Sequence, residues 1–189
     1  MASFYNTKEL SELGFKSVGK NILISRKASL YGVSRISIGN NVRIDDFCFL
    51  SAGEGGIIIG NYVHISAYSS LVGQGEIILE DFVGISSKVT IYSSSDDFYG
   101  EYMSNPTVPS EFTGVISAPV LLCKHVLIGC GAVVLPGVTI NTGAAIGALS
   151  LVVDDCDSFY IYKGNPATKL LKRSKKLLEL EKEFLSTLK

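Results

Sequence analysis

Large aliphatic residues recur every six positions along most of this chain. Ile38, Ile44 and Leu50 form one series, Ile59, Ile65 and Leu71 a second, and Leu79, Ile85 and Ile91 a third. After an interval, Leu122, Ile128, Val134, Ile140, Ile146 and Val152 continue unbroken. Val or a small residue recurs four positions further on, as at Val42, Cys48, Val63, Ser69, Val83, Val89, Val126, Ala132, Val138, Ala144, Ser150 and Cys156. A period of six matches neither the 3.6 of a helix nor simple strand alternation. A helix is also excluded by the recurring glycines and β-branched residues. The series break after Leu50, Leu71 and Ile91, so three units make one coil. Each coil then has three short flat strands with one inward aliphatic each, and stacked coils pair their strands in parallel. Gly39-Asn40-Asn41 and Gly60-Asn61 suit corners that need positive φ.

Three segments interrupt the repeat. Residues 1–19 read as an N-terminal helical segment, capped by Asn6 or Thr7 and closed by Gly14. Residues 20–166 are the coil body, from which residues 92–119 are extruded as a loop. Loops of this length in compact proteins carry function or are disordered. Tyr92, Phe98, Tyr99, Tyr102 and Phe112 in this one favour docking on a neighbour. Residues 167–189 read as a C-terminal helix, with Leu170, Leu171, Leu177, Leu178, Phe184, Leu185 and Leu188 on one stripe.

Composition narrows the picture. The chain has 189 residues, 47% hydrophobic and 19% charged, which excludes disorder for its bulk. It carries 17 basic and 18 acidic residues, net −1, which argues against nucleic acid as a partner. Mean hydropathy is +0.32, yet no run approaches the ~18 apolar residues of a membrane span. Met1 to Leu13 carries Lys8, Glu9 and Glu12 and lacks the apolar stretch of a signal peptide, so a cytoplasmic location is expected. Cys48, Cys123, Cys130 and Cys156 show no CxxC spacing and read as small apolar thiols, with no metal site expected.

The hexapeptide pattern resembles the left-handed parallel β-helix of hexapeptide-repeat acyltransferases over about residues 20–166. The resemblance supplies the handedness, since right-handed crossovers are the usual rule for parallel strands. It implies an all-β fold: a left-handed parallel β-helix with an extruded loop and a C-terminal α-helix. It also implies acetyl-CoA as acyl donor, bound in a cleft between two subunits of a homotrimer. Gly129, Gly131, Ala132, Ala148 and Ser150 fall in segments similar to those that hold the pantetheine arm, although glycines also turn corners. Leu127 stands where the family's Trp-Ile-Gly motif has its aromatic. Tyr162-Lys163-Gly164-Asn165-Pro166-Ala167 resembles the Gly-x-Pro-Ala signature that ends the coil. Lys163, Pro166 and Lys169 would then lie at the cleft mouth, where cations suit the coenzyme's phosphates.

The loop entrance, Ser95-Asp96-Asp97-Phe98, resembles that of bacterial surface-polysaccharide acetyltransferases. Asp96 stands where galactoside- and maltose-type enzymes carry a catalytic His. An ionised Asp is a poor base for a hydroxyl but can hold an ammonium. Only His64 and His125 are available as imidazoles. His64 flanks an inward residue and is the better base; His125 reads as structural. The expected catalytic set is His64, Asp96 and Asp97, with Ser66, Tyr99 and Tyr102 contacting the acceptor. The expected reaction is acetylation of a sugar, at the amine of a nucleotide-linked 4-amino-4,6-dideoxy sugar for O-antigen or capsule synthesis. The alternatives are O-acetylation of a sugar hydroxyl by His64, or a non-catalytic β-helix subunit. Flat rows of Thr, as in ice-binding β-helices, are absent, and two histidines fall short of the three that carbonic anhydrases on this fold use.

Overall fold

A computed structural model describes residues 3–188. The body is a left-handed parallel β-helix with three flat faces. The first face stacks six strands: Ser17–Val18, Ile36–Ile38, Ile57–Ile59, Ile77–Leu79, Val120–Leu122 and Thr139–Ile140. The second stacks Leu23–Ile24, Arg43–Ile44, His64–Ile65, Gly84–Ile85, Leu127–Ile128, Ala145–Ile146 and Tyr160–Lys163 in parallel, then Thr168–Lys172 antiparallel. The third runs from Ser29–Tyr31 to Leu151–Val152.

The six-residue series is the core. Ile44, Ile65, Ile85, Ile128 and their like on the other faces are essentially fully buried, stacked in columns. Register is strict, with Ile77 opposite both Ile57 and Val120. The residues four positions on also point inward: Val42, Val63, Val83, Ala132 and Ser150 are buried.

The expected positive-φ corner at Gly39-Asn40-Asn41 is present, but Asn41 supplies the conformation and not Gly39. Gly39 and Gly60 do not supply positive φ. They are there because coils stack tightly, and a Cβ on Gly39 would lie 2.7 Å from the Gly60 carbonyl carbon. The left-handed residue comes later in each corner, at Asn21, Asn41, Tyr62, Phe82 and His125. Bulky residues are costly there. Stacking offsets the cost, with Tyr62 and Phe82 rings 5.0 Å apart and Phe82 and His125 4.9 Å apart. An Asx ladder joins the same corners: Asn40 accepts from the Lys20 N–H, Asn61 from Asn40 and Asp81 from Asn61.

Helix α1 (Thr7–Glu12) has the expected Asn6 cap, reinforced by Glu9 in a capping box. The N-terminal segment is shorter than 1–19, because Ser17–Val18 already joins the first face. The C-terminal segment is not one helix from residue 167. Thr168–Lys172 is a strand folded back on Tyr160–Lys163, and helix α2 spans Lys176–Ser186. Leu170 and Leu171 therefore belong to an exposed hairpin strand instead of the helix stripe.

Candidate functional site

The outward side of the second face carries one ladder in which Arg43, His64, Gly84, Leu127 and Ala145 are successive partners. His64 stands exposed on it. Its Nε2 lies 2.8 Å from Asp45 Oδ2, and the Arg43 Nε–H donates to Asp45 Oδ1 at 2.6 Å. Burial pushes the Asp45 carboxyl up, but hydrogen bonds from Arg43 and His64 outweigh it and hold it below the usual carboxylate value. Asp45 is thus ionised and can accept from Nε2–H, with Nδ1 not engaged by Asp45. Sequence reading missed Asp45. The signal was available, since Asp45 precedes Ser66 by one coil in the same column.

The loop leaves the third face after Thr90–Tyr92 and returns to the first face at Val120. Its neck is a two-stranded antiparallel ladder, Ser94–Ser95 with Ile116–Ser117. Asp97 is fully committed to the loop: its two oxygens accept the Tyr99 and Tyr102 N–H groups at 2.8 and 2.9 Å. Those bonds hold its carboxyl below the usual range, which suits a loop anchor and not a base. Asp96 makes only a long contact, 3.4 Å, from the Asn105 N–H. Phe98 and Tyr99 are each 90% exposed, and Tyr102 is exposed beside them. Within one chain the loop leaves from the third face, whereas His64 lies on the second.

The expected coenzyme segment divides. Ala148 is exposed, beside Leu149 at 78% exposure. Ala132 and Ser150 are not available at the surface. Both side chains point into the coil, and Ser150 Oγ accepts the Gly164 N–H at 3.1 Å. The small residue four positions past each aliphatic is an interior position, which explains both corrections. Gly129 serves stacking, since a Cβ would sit 2.5 Å from the Ala148 nitrogen, and Gly131 takes φ +71° at its corner. Lys163 and Pro166 are exposed at the end of the coil. Lys169 pairs with Asp157 and lies 4.5 Å from the Tyr160 ring centre, so its charge is partly engaged. Among the described residues no three His, Cys, Asp or Glu side chains gather as metal ligands.

His125 packs against helix α2, a partner the sequence did not reveal. Helix α2 folds back so that Glu181 accepts from His125 Nε2 at 2.7 Å and from Lys124 at 2.5 Å. The His125 and Glu181 side chains are only 11% and 10% exposed. Phe184 packs edge-on against Tyr62, with ring centres 5.2 Å apart. Arg173 Nη1 donates to the carbonyls of His125, Gly143 and Ala144.

A β-helix paced by hexapeptides, with an aromatic loop thrown out from one corner, is the framework of the hexapeptide-repeat acyltransferases. The chain belongs to that family, and within it to the dTDP-4-amino-4,6-dideoxyglucose acyltransferases. It is 58% identical over 176 residues to the dTDP-4-amino-4,6-dideoxy-D-glucose acyltransferase of Escherichia coli, covering 93% of this chain and 92% of that one. It superposes with a TM-score of 0.94 on a variant of AntD, an N-acyltransferase from Bacillus cereus, in complex with dTDP-4-amino-4,6-dideoxyglucose and coenzyme A. That match has 48% identity and covers 99% of this chain and 100% of the other. Galactoside acetyltransferase, 21% identical with a TM-score of 0.59 over 89% of this chain and 70% of its own, shares the fold. No protein-family model matches the chain.

Proposed function

We propose that the protein transfers an acyl group from a coenzyme A thioester to the C4 amine of dTDP-4-amino-4,6-dideoxyglucose. The observation that carries this reading is the 58% identity over 93% of the chain to an acyltransferase of that sugar nucleotide. The solved relative AntD, which binds both coenzyme A and that sugar nucleotide, supports it.

His64 of one subunit, oriented by Asp45, works beside Asp96 from a neighbour's loop. The amine lone pair attacks the thioester carbonyl carbon, and the carbonyl π electrons move to oxygen. A backbone N–H of the coil stabilises the resulting oxyanion. The nitrogen gives its extra proton to His64 Nδ1. The oxyanion collapses, the C–S bond breaks, and the departing sulfur takes that proton. Amide and free coenzyme A result. Asp96 accepts a hydrogen bond from the incoming neutral amine and orients its lone pair, with Ser66, Tyr99 and Tyr102 around the sugar. The coenzyme runs along the exposed edge at Gly129, Gly131 and Ala148, with Lys163, Pro166 and Lys169 at its nucleotide end.

The working assembly is a homotrimer, and the protein acts in the cytoplasm, where nucleotide sugars and acyl-coenzyme A coexist. The exposed aromatic loop and exposed Phe47, Tyr68 and Ile58 supply apolar surface for such an assembly. No helix among the described residues is long and apolar enough to cross a membrane.

Mass spectrometry of dTDP-amino sugars and free sugars incubated with acetyl- and 3-hydroxybutyryl-coenzyme A tests the reaction. An amide of the 4-amino-4,6-dideoxy sugar nucleotide is the expected product. A protein that acylates only hydroxyls, or nothing, overturns the reading. Sedimentation equilibrium at micromolar concentration tests the trimer, which a monomer would refute.

A further inference from the structure

Most glycines of the coils are demanded by stacking. A Cβ on Gly19 would lie 2.3 Å from the Gly39 oxygen, and one on Gly55 2.3 Å from the Glu76 nitrogen. Gly84 is different. Its backbone lies outside the left-handed region, and a Cβ there would meet only the tip of the Leu127 side chain, Cδ1, at 3.2 Å. Neither conformation nor coil spacing requires glycine at this position. Its missing side chain leaves a shallow notch in the outward ladder, bounded by His64 on the strand before and partly filled by the tip of Leu127 from the strand after.

We infer that this notch seats the acceptor sugar, with the amine toward His64 and the C6 methyl against Leu127, so that it selects 6-deoxy amino sugars. The inference rests on the acyl-transfer reading above. Strands about 4.8 Å apart place the His64 and Leu127 backbones roughly 10 Å from each other. That admits one substituent layer, with a hydrogen bond of ~2.9 Å on one side and a carbon contact of ~4 Å on the other. The two walls differ in chemistry. His64 presents Nδ1, because Asp45 holds Nε2 at 2.8 Å and Arg43 fixes the other oxygen of Asp45 at 2.6 Å. Leu127 is an exposed aliphatic, 45% accessible, in a row otherwise polar or small on the His64 side. A 4-amino-4,6-dideoxy sugar carries an amine and a methyl on neighbouring ring carbons, which matches that pair. A 6-hydroxyl would be desolvated against Leu127 with no partner from that side chain.

Steady-state kinetics with dTDP-4-amino-4,6-dideoxyglucose and its 6-hydroxy counterpart, dTDP-4-amino-4-deoxyglucose, tests the notch. Wild type should favour the 6-deoxy sugar by roughly 10- to 100-fold in kcat/KM. Leu127→Asn should bring that ratio close to one. Gly84→Ala and Gly84→Val should raise the sugar KM progressively, at least ~10-fold for Val, with the acyl-coenzyme A KM unchanged. The acceptor ratio is internal to each variant, so it reads the notch even where a variant folds in lower yield. An active wild type with no 6-deoxy preference overturns this inference alone. So does a ratio that Leu127→Asn leaves intact, or a folded Gly84→Val with wild-type sugar KM. A wild type inactive on both amino sugars overturns the acyl-transfer reading with it.

Discussion

His64 and Asp97 illustrate how two residues of similar promise separate once their partners are known. Asp97 spends both oxygens on the Tyr99 and Tyr102 amides, whereas His64 keeps one nitrogen unspent beyond Asp45. Replacing His64 by Ala should lower kcat by about 10- to 10²-fold. That falls below the usual ~10²–10⁴-fold of a positioned base, because an amine needs less help than a hydroxyl. The acyl-coenzyme A KM should stay unchanged, and full turnover in the variant would place the base elsewhere. Asp97→Ala leaves two loop N–H groups without their acceptor. Limited proteolysis between residues 98 and 112 should then become several-fold faster, and equal cleavage of both proteins would show that the loop does not depend on it. At this scale the sequence was only half legible. Ala132 and Ser150 fall in segments that resemble a coenzyme groove, yet both side chains belong to the inward series four residues past an aliphatic. Asp45 carries no local motif; it matters because coil closure sets it beside His64, 19 residues along.

Helix α2 is an element held by charge as much as by apolar contact. Burial pushes the Glu181 carboxyl up, and hydrogen bonds from Lys124 and His125 more than reverse this, leaving it below its ordinary value near 4.5. A carboxyl lowered on folding adds stability that is fully present above its unfolded value and is lost as pH falls through the folded one. Detachment of α2 is therefore expected on acidification below about pH 4.5, and not between pH 6 and 8. Hydrogen exchange of the α2 amides against pH would reveal it, and Glu181→Gln should show fast exchange already at neutral pH. Protection unaltered in that variant would mean that Phe184 and Arg173 alone hold the helix. The strand at Thr168–Lys172 was hidden for a physical reason. Leu170 and Leu171 extend a leucine pattern that fits a helix, and only pairing with Tyr160–Lys163 selects the extended form.

For the whole molecule, the repeat made the architecture readable because each coil contacts mainly the coils beside it. Ile38, Ile59 and Leu79 announce the core without any long-range information. Corners were less readable, since Tyr62 and Phe82 adopt left-handed backbone that closure of the coil imposes against their own preference. Stacked columns also mean that a core truncation is felt on both sides. Ile85→Ala should cost about 2–5 kcal/mol, seen as a lower urea midpoint at unchanged slope. A cost under ~1 kcal/mol would show that neighbouring coils collapse into the space.

The neck at Ser94–Ser95 and Ile116–Ser117 has a consequence for descent. Ile77 and Val120 remain register partners although the loop lies between them in the chain. The solenoid thus treats the loop as a cassette plugged into one socket. Mutations inside it leave the stacking of the coils untouched, while those in the coils must preserve it. Two parts of one gene can therefore drift at separate tempos, so the cassette can be exchanged while the socket stays as it is.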